Sequence, residues 1–235
     1  MIRPRREAGG DNAFVRDSLE KAWSDVVDTA RRSVADGLVV GTSGNVSARA
    51  GDLVLVTPTG VPYDRLGPDD AVVVDLAGRQ LMGELRPTSE LPMHLAVYRA
   101  TEARAIVHTH APHATAVSTL VDELPLIHYM AAALGGRVRV ADYATYGTDR
   151  LAAAVLKALR DRTGCLMRNH GTLVYADTLG RAYDNTAQLE WMCRVWLLAE
   201  SAGVRTPRTL SGRELTKVAE KLRGYGQPGA APDED

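Results

Sequence analysis

The chain has 235 residues, of which 45% are hydrophobic and 24% charged, and its 28 basic and 29 acidic side chains leave a net charge of −1. This length fits one large domain or two small ones, and a compact chain of this size buries roughly 70–75% of its unfolded surface. The balanced charge excludes the electrostatic footprint of a general nucleic-acid binder or a membrane-surface protein.

Cysteine use and hydropathy indicate the compartment. Cys165 and Cys193 form no CxxC motif and no disulfide framework, which predicts a reducing cytoplasm. The basic start is not followed by an apolar stretch, and no apolar run approaches the ~18 residues of a spanning helix. We therefore expect a cytoplasmic protein with no secretory signal and no membrane partner.

In chain order, the apolar pattern predicts helices and short strands that alternate within one layered α/β domain. Residues 1–12 are predicted as a flexible arm, 13–226 as the domain and 227–235 as a disordered tail. The first helix is expected from Phe14 to a stop at Gly37. The other expected helices cover 90–101, 112–120, 149–162, 178–202 and 212–223. The expected strands cover 53–57, 71–75, 105–110, 165–167 and 173–176, with a hairpin around Gly78.

Side-chain caps are expected at three of these helices. Thr88 or Ser89 is predicted to cap the helix that ends near Thr101, and Thr148 the helix over 149–162. The sequence Ser211-Gly-Arg-Glu214 has the form of a capping box, which opens the last helix.

The pair His108 and His110 is the first motif with a chemical meaning. Residues two apart on a strand project to the same side, so two imidazoles at this spacing can hold one metal ion. His170 stands between Asn169 and Gly171 at a strand end, where its side chain can turn toward a neighbouring strand. Three neutral histidines with an open position are typical of a catalytic zinc site. Alone, the H-x-H spacing is more often a coincidence or a pair of hydrogen-bonded polar groups than a metal site.

Two interpretations of Glu90 remain open at this point. It stands at a predicted helix start, where the helix dipole favours an acidic side chain. Alternatively, it is a fourth metal ligand or a general base. An HExxH motif is absent from the sequence, which argues against a zinc protease of that type. We expect His94, His113 and His128 to be hydrogen-bonded structural residues.

Three turns in the sequence have the chemistry of an anion site: 41–47, 57–60 and the pair Thr88-Ser89. Each offers hydroxyls and free backbone amides, and the last also a helix N-terminus. None carries the GK[ST] of a P-loop or the G-x-G-x-x-G of a dinucleotide fold. Without a basic cluster, they predict one small phosphate group rather than a nucleotide.

Together these motifs resemble the class II aldolase/adducin family. The matching segments run in family order from about residue 15 to Tyr225, over nearly the whole chain. They are GTSGNVSAR at 41–49, VTPTGVPY at 56–63, RPTSE at 86–90, IVHTHAPHATAVS at 106–118, IHYM at 127–130, YATYGT at 143–148 and NHG at 169–171.

The resemblance implies a three-layer αβα fold with a central, mostly antiparallel sheet, and a homotetramer with active sites between subunits. The implied zinc ligands are Glu90, His108, His110 and His170, although such ligands also accept Mn²⁺ or Co²⁺. The implied phosphate-binding residues are Gly44, Asn45, Thr59, Gly60, Thr88 and Ser89. The residues implied to serve a neighbouring subunit's site are Tyr129, Tyr146 and Tyr225.

The activity implied by the resemblance is cleavage of a ketose 1-phosphate, with L-fuculose 1-phosphate as the best match, to dihydroxyacetone phosphate and L-lactaldehyde. Glu90 would move the proton at the carbon of the dihydroxyacetone phosphate fragment, and Tyr129 that of the aldehyde oxygen. A pentulose-5-phosphate 4-epimerase and a decarboxylase remain alternatives, although the epimerase branch typically has Asp where this chain has Glu90. A non-enzymatic adducin-like module would leave the three histidines without a role.

Three positions depart from the family pattern. Thr88 replaces a serine and keeps the hydroxyl. Tyr146 stands where phenylalanine is common, which bears on the aldehyde pocket. Asn169 stands where a second histidine is often seen.

Overall fold

The computed structural model describes residues 11–224. Its strands are β1 (Asn45–Ala50), β2 (Leu53–Val56), β3 (Val72–Asp75), β4 (Gln80–Met82), β5 (Ala105–Thr109), β6 (Val140–Ala141), β7 (Gly164–Met167) and β8 (Gly171–Ala176). Its α-helices are α1 (Asp11–Ala35), α2 (Leu91–Ala100), α3 (Pro112–Leu120), α4 (Asp149–Ala158), α5 (Leu179–Ser201) and α6 (Gly212–Leu222). A 3₁₀ helix spans Tyr129–Leu134.

The strands form one sheet in the order β4-β3-β2-β1-β5-β8-β7-β6. Every neighbouring pair is antiparallel except β6 with β7. Two apolar clusters pack on opposite faces of the sheet, one with α1, α3 and α5 and the other with α2 and α4. This confirms the predicted three-layer αβα fold with a central, mostly antiparallel sheet.

Strand β5 lies in the middle of the sheet and sets the position of the histidine pair. Within β5, the successive residues Ile106 and Val107 are both fully buried and belong to opposite apolar clusters, because side chains alternate between the two faces along a strand. His108 shares the face of Ile106, which α2 covers. Burying a side chain of the size of Ile106 contributes roughly 1.5–3 kcal/mol, so the register of β5 is strongly specified.

Several element boundaries differ from the sequence predictions. The sequence predicts a turn over 41–47 and no element over 48–50, but 45–50 is strand β1, because β2 and β5 pair with it on both sides. Helix α1 begins at Asp11, so the last two residues of the predicted arm are helical. Helix α4 ends at Ala158 rather than Arg162, and Asp161 adopts a left-handed φ of 57°.

The predicted cap of α2 is wrong, whereas the other two caps are confirmed. Glu90 occupies the N-cap position of α2, and no side chain caps this helix. Thr148 accepts a hydrogen bond from the amide of Leu151, and Ser211 forms the predicted capping box with Glu214. The side chain of Glu90 is therefore free to point into the protein.

Residues 1–10, Tyr225 and the predicted tail at 227–235 lie outside the described residues. Within residues 11–224, no helix combines the length and the apolar character that a bilayer crossing requires.

Candidate metal centre

The four predicted metal ligands come together from three parts of the fold. His108 lies near the end of β5 and His110 directly after it, His170 lies in the turn between β7 and β8, and Glu90 precedes α2. One possible ligand atom from each residue lies within 4.8 Å of the others. The Nε2 atoms of His108 and His110 are 3.1 Å apart.

The turn that carries His170 is shaped by its two neighbours. Asn169 adopts a left-handed φ of 54°, a conformation that asparagine tolerates better than most residues. A Cβ atom on Gly171 would lie 1.9 Å from the carbonyl oxygen of Thr109, so only glycine fits against the end of β5. The amide of Asn169 also donates to Ser118 Oγ on α3 at 3.0 Å. The sequence Asn-His-Gly therefore brings His170 next to His110.

One carboxylate oxygen of Glu90 indicates that the cluster suits a cation. Oε2 accepts a hydrogen bond from Asn45 Nδ2 at 3.0 Å and lies 2.9 Å from His108 Nε2. Oε1 is buried and has no hydrogen-bond partner among the described residues, although His170 Nε2 lies 3.4 Å away. A buried acceptor without a donor costs free energy, which ligation of a cation removes. Imidazole and carboxylate ligands suit Zn²⁺ and related divalent ions.

The protonation states of the histidines fit the same role. Burial and, to a lesser degree, the neighbouring His108 lower the pKa of His110 to about 3 and that of His170 to about 4. Both rings are therefore neutral at pH 7, as metal ligation requires. His108 Nδ1 donates to the carbonyl oxygen of Thr172 at 2.6 Å, which leaves Nε2 facing the cluster.

Glu90 and His108 form a coupled buried pair. Burial would raise the pKa of Glu90, but His108, His170 and the amide of Asn45 together hold it well below its usual range. Burial would lower the pKa of His108, but the Glu90 carboxylate raises it. Each of the two groups thus favours the charged form of the other.

A cleft of about 290 Å³ opens above the cluster, with Glu90, His110 and His170 among its lining residues. All six predicted phosphate-binding residues line it: Gly44, Asn45, Thr59, Gly60, Thr88 and Ser89. Of the described residues that line this cleft, none is Lys or Arg. The cleft thus offers hydroxyls and backbone amides without a fixed positive side chain.

The three predicted tyrosines fall in different places. Tyr146 lines the cleft and is 65% exposed. Tyr129 does not line it; it lies in a separate groove of about 590 Å³ beside Trp191 and α6, and is 48% exposed. Tyr225 is outside the described residues.

The structure also shows contacts that the sequence did not predict. Tyr143 lines the cleft, and its place in the segment 143–148 was the only signal for it. His94, His113 and His128 all form hydrogen bonds, as predicted. The partner of His94 is Asn45 of the cleft itself, which connects this histidine to the site.

The chain is similar in sequence and structure to proteins named as sugar-phosphate aldolases. The profile of the class II aldolase and adducin N-terminal domain matches residues 24–197. A 5-deoxy-D-ribulose 1-phosphate aldolase of Bacillus thuringiensis serovar kurstaki is 36% identical over 89% of this chain and 99% of the relative. An L-fuculose phosphate aldolase of Escherichia coli K12 is 39% identical over 86% of this chain and 94% of the relative.

A solved structure of an L-fuculose 1-phosphate aldolase superposes with a TM-score of 0.83 at 35% identity, over 86% of this chain and 96% of the other. Profile, sequence and fold thus agree with the motifs that meet at the cluster. The chain belongs to the class II aldolase and adducin family and is an enzyme of the aldolase class.

Proposed function

We propose that this enzyme cleaves a ketose 1-phosphate between C3 and C4 to dihydroxyacetone phosphate and an aldehyde. The observation that carries the proposal is Glu90 Oε1, a buried carboxylate oxygen without a hydrogen-bond partner among the described residues, beside three histidines. His108, His110, His170 and Glu90 would hold a divalent cation, and Zn²⁺ is our first choice. When bound, such a cation acts as a Lewis acid that withdraws electrons from the carbonyl next to the bond that breaks.

Hydroxyls and backbone amides that line the cleft fit the phosphate of such a substrate. The hydroxyls of Thr59, Thr88 and Ser89 and the backbone amides near Gly44 and Gly60 can donate hydrogen bonds to phosphate oxygens. With no Lys or Arg among the described lining residues, the cleft suits one monoester rather than a polyphosphate. The phosphate would thus orient the carbonyl end of the substrate toward the histidines.

The proton transfers fall to Glu90 and a tyrosine. Cleavage requires that the C4 hydroxyl lose its proton and that the C3–C4 electron pair remain on C3, which then gains a proton. Glu90 lies at the floor of the cleft and is ionised, so it is the group that we assign to the proton at C3. We assign the proton of the aldehyde oxygen to Tyr129 of a neighbouring subunit.

The assignment of Tyr129 rests on its exposure and position. Its ring is 48% exposed, and it does not line the cleft of its own chain. In a symmetric oligomer, and we propose a tetramer, such a side chain can enter the site of a neighbour. Mixed oligomers of Tyr129→Phe and Glu90→Gln subunits test this, because one kind of site then holds both wild-type residues. We expect activity to be recovered. If verified mixed oligomers stay inactive, Tyr129 acts in the site of its own subunit.

The aldehyde is the open part of the substrate. The relatives named above act on sugars that leave different fragments: cleavage of 5-deoxy-D-ribulose 1-phosphate leaves two carbons, and L-fuculose 1-phosphate leaves L-lactaldehyde. Our first choice is L-fuculose 1-phosphate. The test supplies dihydroxyacetone phosphate with L-lactaldehyde, acetaldehyde and other aldehydes, and identifies the product sugar. No carbon–carbon bond formation with any of them would favour an epimerase or a decarboxylase on this scaffold.

We also propose a cytoplasmic location. Cys165 and Cys193 are both free and buried, which fits a reducing compartment. Fractionation of cells that produce the full chain tests this directly.

A further inference from the structure

A row of buried polar side chains leads from Glu90 away from the cleft. Asn45, Ser47, His94 and Tyr98 are each at most 3% exposed. Asn45 Nδ2 lies 3.0 Å from Glu90 Oε2, and Asn45 Oδ1 lies 2.5 Å from His94 Nε2. Ser47 Oγ lies 2.7 Å from both His94 Nδ1 and Tyr98 OH. We call this row the polar chain.

The geometry of one helix and one strand creates the polar chain. Glu90 and His94 are four residues apart, one turn along the start of α2, and therefore lie on one side of it. Asn45 and Ser47 are two residues apart on β1 and therefore lie on one face of the sheet. The helix covers that face, so the two pairs of side chains meet.

The direction of every hydrogen bond follows from the ionised carboxylate at one end. Glu90 only accepts, so the Asn45 amide must present its NH₂ group to Glu90 and its oxygen to His94. His94 Nε2 must then carry a proton. Burial lowers the pKa of His94 to about 3, so the ring is neutral and Nδ1 is an acceptor. Ser47 must therefore donate to His94, and the Tyr98 hydroxyl to Ser47.

The opposite direction would place two acceptors in contact. If Nδ1 of His94 carried the proton, Nε2 would need a donor from Asn45, and the amide would have to turn over. Its oxygen would then face Glu90 Oε2 at the 3.0 Å now occupied by the NH₂ group. The tautomer of His94 and the orientation of Asn45 are thus tied to each other.

The polar chain also decides which oxygen of Glu90 is left for the cluster. Oε2 is taken by Asn45 and His108, whereas Oε1 has no hydrogen-bond partner among the described residues and lies 3.4 Å from His170 Nε2. We propose that His94 is a positioning residue: it fixes the amide of Asn45, which holds the Glu90 carboxylate with Oε1 toward the metal ligands. This deepens the proposed function, since it depends on the proposed cation site, but it does not depend on which sugar is cleaved.

The hydrogen-bond direction is tested first, in the unmodified, metal-free chain. The sequence has six histidines, so long-range ¹H–¹⁵N spectra of protein labelled in histidine contain few signals, and the His94→Gln variant identifies that of His94. We expect the tautomer with the proton on Nε2. A proton on Nδ1 would overturn the proposal, and this result needs neither metal nor activity.

Metal affinity is the second readout. His94→Leu removes the donor to Asn45, and we expect it to weaken Zn²⁺ and Co²⁺ binding about 10- to 100-fold in competition with a chelator. His94→Gln keeps an N–H near the position of Nε2 and should restore affinity to within about threefold of the wild type. Tyr98→Phe removes only the most distant hydroxyl and should have a smaller effect than His94→Leu. The visible spectrum of bound Co²⁺ should change in His94→Leu and not in His94→Gln.

A control variant separates positioning from mere loss of stability. Thr186 is fully buried on α5, and its hydroxyl donates to the carbonyl of Ala182 at 2.8 Å. Thr186→Val removes a buried hydroxyl outside the polar chain, so it should lower the melting temperature without changing Co²⁺ affinity or spectrum.

Equal Co²⁺ affinity in His94→Leu and wild type, or an equal loss in His94→Leu and His94→Gln, would overturn the proposal. A wild-type chain that binds no cation would instead overturn the proposed metal site. If His94→Leu does not fold, the tautomer measurement still decides.

Discussion

The floor and the rim of the cleft differ in how their side chains are held. By the floor we mean the cluster of four candidate metal ligands beneath the cleft; within it, His108 and Glu90 are at most 5% exposed, and each has a hydrogen-bond or ion-pair partner within the same chain. On the rim, Tyr143 is 57% exposed and Tyr146 65%. The floor side chains are thus held by contacts with one another, whereas those of the rim lie largely in solvent. We therefore expect chemistry to depend on the floor and aldehyde selectivity on the rim.

Removal of a floor ligand should have the largest effect. His110→Ala deletes one of the three histidines proposed to hold the cation, and we expect cleavage to fall at least about 10³-fold, because a Lewis acid contributes several kcal/mol to such a reaction. Chelation of the wild type should have the same effect, and added Zn²⁺ should restore only the wild type. Full activity in verified metal-free protein would disprove the cation mechanism and with it the importance of the floor.

Glu90→Gln should rank second. It keeps the shape of the side chain and removes the proton acceptor, so kcat should fall by about 10²–10⁴-fold, the usual contribution of a positioned acid or base. The assay is single-substrate cleavage with metal content measured in parallel. A near-normal kcat would show that Glu90 is only an acidic side chain favoured by the dipole of α2, with no part in proton transfer. Glu90→Asp shortens the side chain by one methylene group. If this variant gains epimerase activity, the alternative of a pentulose-5-phosphate 4-epimerase is favoured.

The glycine turn before β1 packs against the backbone of the floor at Gly44 but not at Gly41. Gly44 and Gly41 both have positive φ, 75° and 65°. A Cβ atom on Gly44 would lie 2.7 Å from the carbonyl oxygen of His108, whereas one on Gly41 meets nothing within 4 Å. Both alanine variants carry the backbone penalty, so the difference isolates the packing. We expect Gly44→Ala to be less stable than Gly41→Ala by about 1–3 kcal/mol in urea unfolding. Equal losses in the free energy of unfolding would show that the backbone of His108 shifts to make room for the added methyl group.

Acid should destabilise the metal-free protein through His94, which the polar chain connects to the floor. His94 has a pKa of about 3 when folded against 6.5 in its ordinary environment, because burial disfavours its charged form. Below pH 6.5 the unfolded chain therefore binds a proton that the folded chain does not, and stability falls as the pH is lowered toward 3. The slope is at most about 1.4 kcal/mol per pH unit for one histidine. His94→Gln should reduce the measured slope by up to that amount, and an unchanged slope would contradict the shift.

A rim substitution should have the smallest effect. Tyr146→Phe removes one exposed hydroxyl, so we expect stability to change by less than about 0.5 kcal/mol. The ratio of kcat/KM for L-lactaldehyde and acetaldehyde should shift by less than about tenfold, a difference of about 1.4 kcal/mol. A loss of kcat with both aldehydes as large as that of Glu90→Gln would place Tyr146 in the chemistry and remove the distinction between rim and floor.

Local spacing in the sequence predicted what is local in the structure. The two-residue repeat of a strand predicted that His108 and His110 share a face, and the pattern at Ser211 and Glu214 predicted a capping box. The resemblance to a family supplied the strand directions, which no turn-by-turn pattern contains. It also grouped Gly44, Thr59 and Thr88 as one anion site, and the structure brings them to one cleft.

Contacts between distant segments required the tertiary structure. Glu90 was ambiguous in sequence because a helix-start acid and a metal ligand look alike; the fold turns its side chain inward to His108 on β5. Asn45 and His94 are 49 residues apart, and no local pattern links them. A sequence specifies which faces are buried through short periodicities. Which buried polar groups meet depends on how α2 lies over β1, and that is decided by the packing of the whole apolar layer between them.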